Sequence, residues 1–253
     1  MQPLRIGCVP YLNAKPLIDW FHSGDCDAAA EIHYVVPSRL PDLLRDNVID
    51  VALVSIFEHF RCPELVLLPD LSISADGPVR SVRLFSCKPF ARVRSVALDT
   101  SSLTSVALTR ILLSERFGIA PEYVPHAPDL DGMLSRCDAG IIIGDLKLFD
   151  TPATHILDLG ECWKELTGLP FVYAAWLARP DAPLDNLTSA LTRARDWGND
   201  HLDDLTSRWS AELALPRDRV HDYFFNVMQY GLDYRKELGM RLFETKCRDH
   251  GLV

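Results

Sequence analysis

The chain has 253 residues, 48% of them hydrophobic and 24% charged, proportions of an ordinary globular protein that exclude a disordered, collagenous or low-complexity one. With 26 Lys and Arg against 35 Asp and Glu its formal charge is -9, opposite in sign to the footprint of a protein that neutralises nucleic acid or an anionic membrane. The seven cysteines are odd in number and form no C-x-x-C, so neither a zinc knuckle nor a disulfide framework is expected, and a reducing compartment fits them.

Residues 4–9, 31–35 and 51–54 are short apolar runs, each followed by an amphipathic stretch at 14–21, 38–45 and 56–60. That alternation is βαβαβ and predicts a mostly parallel sheet. Strands are next expected over 65–74 and 79–86, antiparallel across the turn-forming Ala75-Asp76-Gly77-Pro78. The rhythm then restarts: a strand at 95–98, a helix over 102–117 stopped by Gly118, an extended 122–125, a short helix over 128–134 and a strand at 139–143. On the 102–117 helix Leu103, Val106, Ala107, Ile111, Leu113 and Phe117 recur at three- and four-residue spacing and make one apolar face. Residues 171–177 are apolar throughout, as a strand covered on both sides should be.

After Pro180 only helical spacing remains, through Leu187, Leu191, Ala194, Leu202, Leu205 and Trp209, with two more helices near 218–229 and 233–249. No apolar run approaches the roughly 20 residues of a membrane span. The N-terminal residues enter a strand at once, so no secretory leader is expected and the protein is placed in the cytoplasm. The economical architecture is α/β with two lobes and a helical tail on the first: residues 1–87 with 172–253, and residues 88–171.

In open parallel sheets ligands gather beyond the carboxyl ends of the strands, where helix N-termini offer N–H groups and partial positive charge. Five polar positions occupy such places. Tyr11 and Asn13 follow the first strand, where Asn13 either caps the next helix or turns its amide to a ligand. Ser55 follows the third. Ser86 ends the 79–86 run. Thr100, Ser101 and Thr104 surround the start of the long helix, either capping it or receiving a carboxylate. Gly144 and Asp145 follow the 139–143 strand, the glycine permitting close backbone approach and the aspartate capping or holding a hydroxyl. Lys15, Arg80 and Arg83 are further cations for an anionic ligand. No G-x-G-x-x-G, P-loop, H-E-x-x-H or G-x-S-x-G occurs, and no two histidines have metal-site spacing, so no cofactor or metal is expected.

Several segments taken together resemble one family: Arg5-Ile6-Gly7-Cys8-Val9-Pro10-Tyr11-Leu12-Asn13-Ala14-Lys15-Pro16-Leu17, Asp50-Val51-Ala52-Leu53-Val54-Ser55, Gly77-Pro78-Val79-Arg80-Ser81-Val82 and Leu84-Phe85-Ser86. The likeness continues in order through Leu98-Asp99-Thr100-Ser101-Ser102-Leu103-Thr104-Ser105, Ile143-Gly144-Asp145 and the W-x-x-L-T-G-L-P-F-V stretch from Trp163 to Val172. The chain is similar in these to the MqnA family, the chorismate dehydratases of the futalosine route to menaquinone. That resemblance implies a type II periplasmic-binding-protein-like fold used inside the cell as an enzyme with no cofactor. Its small-molecule substrate would be chorismate, converted to 3-[(1-carboxyvinyl)oxy]benzoate and water. It further implies that Asn13 is catalytic and orients the departing hydroxyl or the ring. Thr100, Ser101 and Thr104 at the long helix would bind a carboxylate, and Tyr11, Ser55, Ser86, Gly144 and Asp145 would complete the substrate lining. Hinges are expected at residues 86–90 and 169–171. The alternatives are a carboxylate-carrying solute-binding protein, the related 1,4-dihydroxy-6-naphthoate synthase and a regulatory effector-binding domain. The absence of a leader, the Tyr11-Leu12-Asn13 loop and the absence of a helix-turn-helix argue against them in turn.

Overall fold

A computed structural model describes residues 3–99, 101–144 and 154–253. They group into two compact units, one made of the chain up to Ser74 with Val172–Asp233, the other of Ala75–Phe171 with Tyr234–Val253.

The first unit opens with the expected alternation: β1 (Leu4–Cys8), α1 (Lys15–Ile18), β2 (Ala30–Tyr34), α2 (Leu40–Arg45), β3 (Val51–Ser55), α3 (Ile56–Arg61) and β4 (Val66–Ala75). β1 runs parallel to β2 and to β3, with Ile6 opposite both Ile32 and Val51. A Cβ at Gly7 would collide with the side chains of Ile49 and Leu40, so the glycine lets α2 and its following turn close onto β1.

The second unit holds β5 (Val82–Ser86), β6 (Ser95–Asp99), α4 (Leu103–Phe117), β7 (Glu122–His126), α5 (Leu130–Arg136), β8 (Ala139–Ile143), β9 (His155–Asp158) and α6 (Leu159–Thr167). Its sheet order is β7-β6-β8-β5-β9, with β6 parallel to β7 and β8 but β5 antiparallel to β8 and β9. The predicted hairpin between 65–74 and 79–86 is therefore not formed. β4 lies in the first unit's sheet and β5 in the second's, because the turn before β5 is taken up by a distant acceptor. The Asp158 carboxylate receives the Val79 and Arg80 N–H groups at 2.9 and 2.7 Å. The same carboxylate caps α6 through Gly160 and Glu161.

The chain returns to the first unit through β10 (Phe171–Ala178), then α7 (Leu184–Asp200), α8 (Leu202–Glu212) and α9 (Arg217–Asp222), which runs on into a short π-helical turn at Tyr223–Val227. β10 is antiparallel to β3, Ala174 facing Ser55, and completes the order β2-β1-β3-β10-β4. It is buried almost along its length, as a strand covered on both faces should be.

The last helix, α10 (Tyr234–Asp249), groups with the second unit, whereas the sequence reading laid the whole helical tail on the first. Three contacts explain its place. Gly239 lies so close to the Pro170 carbonyl that a Cβ would overlap it. Phe243 packs edge-on against Phe171 and Trp163, with ring centroids 4.9 and 6.0 Å apart. Lys246 and His250 donate to Glu115 of α4 at 2.5 and 3.2 Å; burial alone would raise that carboxyl, but these bonds hold it below its ordinary value. The W-x-x-L-T-G-L-P-F-V stretch is the corner beneath this helix. The Trp163 indole donates to the Pro170 carbonyl at 3.2 Å, the Thr167 hydroxyl donates to the Trp163 carbonyl, and Gly168 takes the left-handed turn (φ 71°) that ends α6. Edge-to-face aromatic pairs of this kind are worth about 0.5–1.5 kcal/mol each beyond their buried area.

The unit boundaries fall at Ser74/Ala75, Phe171/Val172 and Asp233/Tyr234. The expected hinge at 169–171 adjoins one of them. The 86–90 segment, and the proposed division at residue 87, lie inside the second unit.

Candidate active site

In the first unit the carboxyl ends of the parallel β1 and β3 bring together Tyr11, Asn13 and Ser55. Beyond β1 the chain makes a tight 3-10 turn at Leu12–Ala14, closed by the Ala14 N–H donating to the Tyr11 carbonyl at 3.1 Å, and enters α1 at Lys15. Asn13 does not cap this helix: Ala14 is at the cap position, and its side chain makes no capping bond. Pro16 is tolerated because the first turn has no intrahelical acceptor for an N–H. Among the described residues the Asn13 Oδ1 is buried with no hydrogen-bond partner. A buried amide oxygen left unpaired costs roughly 1–3 kcal/mol, and such sites are kept where a function uses them. Ser55 stands where β3 passes into α3, and its hydroxyl does not cap that helix.

In the second unit the carboxyl ends of β6 and β8 bring Ser101, the start of α4 and Gly144 to one edge, together with Ser81 at the entrance to the antiparallel β5. Asp99, itself buried, accepts the Ser101 N–H at 2.9 Å and shapes the turn. Ser102 is the cap of α4, its side chain accepting the Ser105 N–H, which leaves Ser101 one residue ahead of the helix. Thr104 is buried in the first turn. Gly144 adopts φ 78°, a conformation costly for any residue with a Cβ, and donates its N–H to the Ser81 carbonyl at 2.6 Å. Thr100 and Asp145, expected beside Ser101 and Gly144, lie outside the described residues.

Ser86 is not brought to this edge. Because β5 runs antiparallel to β8, Val82 faces Ile143 at the carboxyl end while Ser86 faces Ala139 at the opposite end, about 13 Å along the strand. Its buried hydroxyl is engaged there by backbone, donating toward the Lys88 and Asp138 carbonyls and accepting the Lys88 N–H.

The three candidate cations separate as well. Arg83 lies 3.7 Å from Asp158. Arg80, half-buried, is held with φ 63° by the Asp158 bond to its N–H, a left-handed residue at the edge that carries Ser81 and Gly144. Lys15 turns inward, only 6% exposed, with Nζ 3.9 Å from the centroid of Trp209 and 5.4 Å from that of Tyr34. Burial lowers the Lys15 amine from its ordinary value, while the nearby Asp19 opposes the shift. Beneath it the fully buried Cys8 thiol is pushed up to about 12 by burial and is inert as a nucleophile. Sequence reasoning missed Asp158 as an organiser of this edge and missed the aromatic seat of Lys15. The one signal for the first was an aspartate directly before the amphipathic helix of the W-x-x-L-T-G stretch.

A surface cavity of about 560 Å³ opens elsewhere in the first unit, lined by Leu4, Asp27, Asn186, Ser189 and Arg193 among others. Leu4 starts β1, so this opening lies at the amino end of the parallel strands, away from Asn13 and Ser55.

Residues 4–249 match the family model described as menaquinone biosynthesis. The chain is 31% identical over 263 aligned residues to a chorismate dehydratase of Thermus thermophilus, covering 96% of this chain and 94% of that one. Among solved structures it is similar to an Archaeoglobus fulgidus protein (TM-score 0.79, 16% identity, 99% and 98% of the two chains covered). It is also similar to a Candida albicans protein described as having the generic periplasmic binding protein fold (TM-score 0.67, 12% identity, 100% and 91% covered). The architecture of two α/β units is thus the periplasmic-binding-protein fold, and the chain belongs to the menaquinone biosynthesis family.

Proposed function

We propose that this protein is a chorismate dehydratase, a hydro-lyase of menaquinone biosynthesis that converts chorismate to 3-[(1-carboxyvinyl)oxy]benzoate and water. Support comes from its family and from its curated relatives, and the observation that carries the site assignment is the buried, unpartnered amide oxygen of Asn13 beyond β1. Elimination breaks the carbon–oxygen bond to the ring hydroxyl and the carbon–hydrogen bond on the adjacent ether-bearing carbon. The pair of electrons left behind completes an aromatic ring, so the product lies far downhill.

That hydrogen is conjugated through a ring double bond with the ring carboxylate, and a carbanion-like transition state spreads charge onto that group. Donors around the carboxylate then lower the barrier. The Asn13 amide oxygen accepts a hydrogen bond from the ring hydroxyl and fixes its orientation, with Tyr11 and Ser55 at the same sheet edge. Ser101 and the start of α4 are, in the other unit, a separate place of the kind that holds a carboxylate. The substrate's own enolpyruvyl carboxylate hangs next to the departing hydrogen, takes it as a proton and passes it to the departing hydroxide, which leaves as water, so positioning supplies the rate. Favourable positioning is worth about 7–11 kcal/mol.

Purified protein incubated with chorismate is expected to produce the ultraviolet absorbance of the aromatic ether. Asn13→Ala is expected to lower turnover about 100-fold or more, the scale of losing one preorganised polar group. Wild-type protein that leaves chorismate unchanged overturns the activity. An Asn13→Ala enzyme working at the wild-type rate overturns only the role of the amide.

A further inference from the structure

The turn that carries Asn13 has no side-chain cap of its own, yet an amide that orients a substrate must be held to a fraction of an ångström. Two elements far along the chain hold it from outside. On one side Gly198 of α7 lies against the Pro16 carbonyl so closely that no Cβ fits between them. On the other, Trp209 of α8 receives Lys15, whose ammonium sits 3.9 Å from the indole centroid with the Tyr34 ring at 5.4 Å. Trp209 is fixed in turn: its indole N–H donates to Asp19 Oδ2 at 2.6 Å, and Arg208 lies 3.6 Å from the same oxygen. Tyr34 is fixed by its hydroxyl, 2.8 Å from His22 Nε2. Lys15 and Asp19 lie one turn apart in the connection that follows Asn13, so a single tryptophan staples both ends of that segment.

We propose that Lys15 is a positioning residue for Asn13: seated on the Trp209 ring, its ammonium fixes the 3-10 turn that aims the amide. The inference rests on the role assigned to Asn13 above. A cation removed from water is expensive, and an apolar side chain of equal length would fill the same space more cheaply. What the ammonium adds is direction, because it is drawn to the face of the ring and to Asp19 together, whereas a methylene chain is indifferent to both. Lys15 follows Asn13 by two residues, and its backbone N–H donates to the Leu12 carbonyl, so displacement of the side chain is transmitted directly to the turn. Misplacement of a reacting group by about 1 Å costs on the order of 100-fold in rate.

The test compares Lys15→Met, Lys15→Arg, Trp209→Leu and the Lys15→Met/Trp209→Leu double variant in steady-state turnover of chorismate, with near-ultraviolet circular dichroism to establish folding. Lys15→Met is expected to lower kcat about 10- to 100-fold while KM stays within about twofold. Lys15→Arg, which keeps a cation over the ring, is expected to recover most of that loss. Trp209→Leu should match Lys15→Met, and the double variant should fall no further than the worse single one. Should Lys15→Met fail to fold, Trp209→Leu carries the same comparison from the half-buried side of the contact. An active wild type with an unchanged kcat in the folded variants overturns the proposal, as do losses that multiply in the double variant or an arginine no better than methionine. A wild type inert toward chorismate overturns the functional reading, and this one with it.

Discussion

Asp158 is the residue whose loss should be felt furthest from its own position. Its side chain is 7% exposed and accepts four backbone N–H groups: Val79 at 2.9 Å, Arg80 at 2.7 Å, Gly160 at 3.0 Å and Glu161 at 3.1 Å. Two of these belong to the first turn of α6, and truncating such a cap costs about 1 kcal/mol. The other two belong to the turn before β5. Val79 is buried, so its N–H would be left without water or acceptor at about 1–3 kcal/mol, whereas half-buried Arg80 can be reached by solvent. Release of the left-handed Arg80 backbone returns about 1 kcal/mol. The net expectation for Asp158→Ala is a loss of about 1–3 kcal/mol. With a urea dependence of about 2 kcal/mol per molar, the midpoint should fall by about 0.5–1.5 M.

Asp158→Asn keeps one acceptor oxygen and should lose about half as much. The loss should be regional, so hydrogen exchange is the sharper assay. Amides of α6 and of residues 79–82 should lose protection while those of β1 and β3 keep theirs. A midpoint moving by less than about 0.3 M, or protection lost evenly across both units, would refute the assignment of Asp158 as the acceptor that takes this turn away from a hairpin.

Gly198→Ala sets a Cβ against the Pro16 carbonyl, a clash of methyl with backbone that no rotamer relieves. It should destabilise by about 1–3 kcal/mol and lower turnover of chorismate in the protein that remains folded; a normal melting temperature would show that α7 does not hold the turn. Asp50 gives a signature in acid. Burial would raise its carboxyl, but hydrogen bonds from the Arg5 side chain at 2.5 and 3.2 Å and from its backbone N–H at 3.1 Å outweigh this and hold it below its ordinary value. A carboxyl lowered by folding stabilises fully above its unfolded pKa of about 3.9, and that stabilisation disappears as pH falls through the lower folded value. Asp50→Asn should therefore be clearly less stable than wild type at pH 6, with the gap closing as pH falls below the unfolded value of about 3.9; a gap independent of pH would exclude ionisation as its source.

Elements whose signals are local were legible in the sequence. α4 is announced by its apolar spacing, its serine cap and a glycine that can turn left-handed, and the structure starts and stops it within a residue of the expected 102–117. The segments misjudged are those whose signals are local but whose partners are distant. Ala75-Asp76-Gly77-Pro78 has the composition of a hairpin turn, yet Asp158, some 80 residues on, claims the N–H groups that follow it. The apolar stripe of α10 says that the helix packs without saying on what, and the choice was made by Gly239 and Phe243 meeting the Pro170–Phe171 corner.

The same distinction governs the candidate site. The rule that ligands gather at the carboxyl ends of strands needs only strand order along the chain when strands are parallel, and it placed Tyr11, Asn13, Ser55, Ser101 and Gly144 at such ends. β5 has the same apolar run as its neighbours, but it runs the other way, and strand direction is written in no local feature of the sequence. Reversal exchanges the two ends: Ser86 goes to the far edge, and Ser81 with Arg80, which precede the run, arrive beside Gly144. One antiparallel strand in an otherwise parallel run thus decides which residues stand at the edge with Gly144, and its direction is fixed by pairing with β8 and β9, whose partners lie 53 residues on for Ser86 and Ala139 and 75 residues on for Arg83 and Asp158.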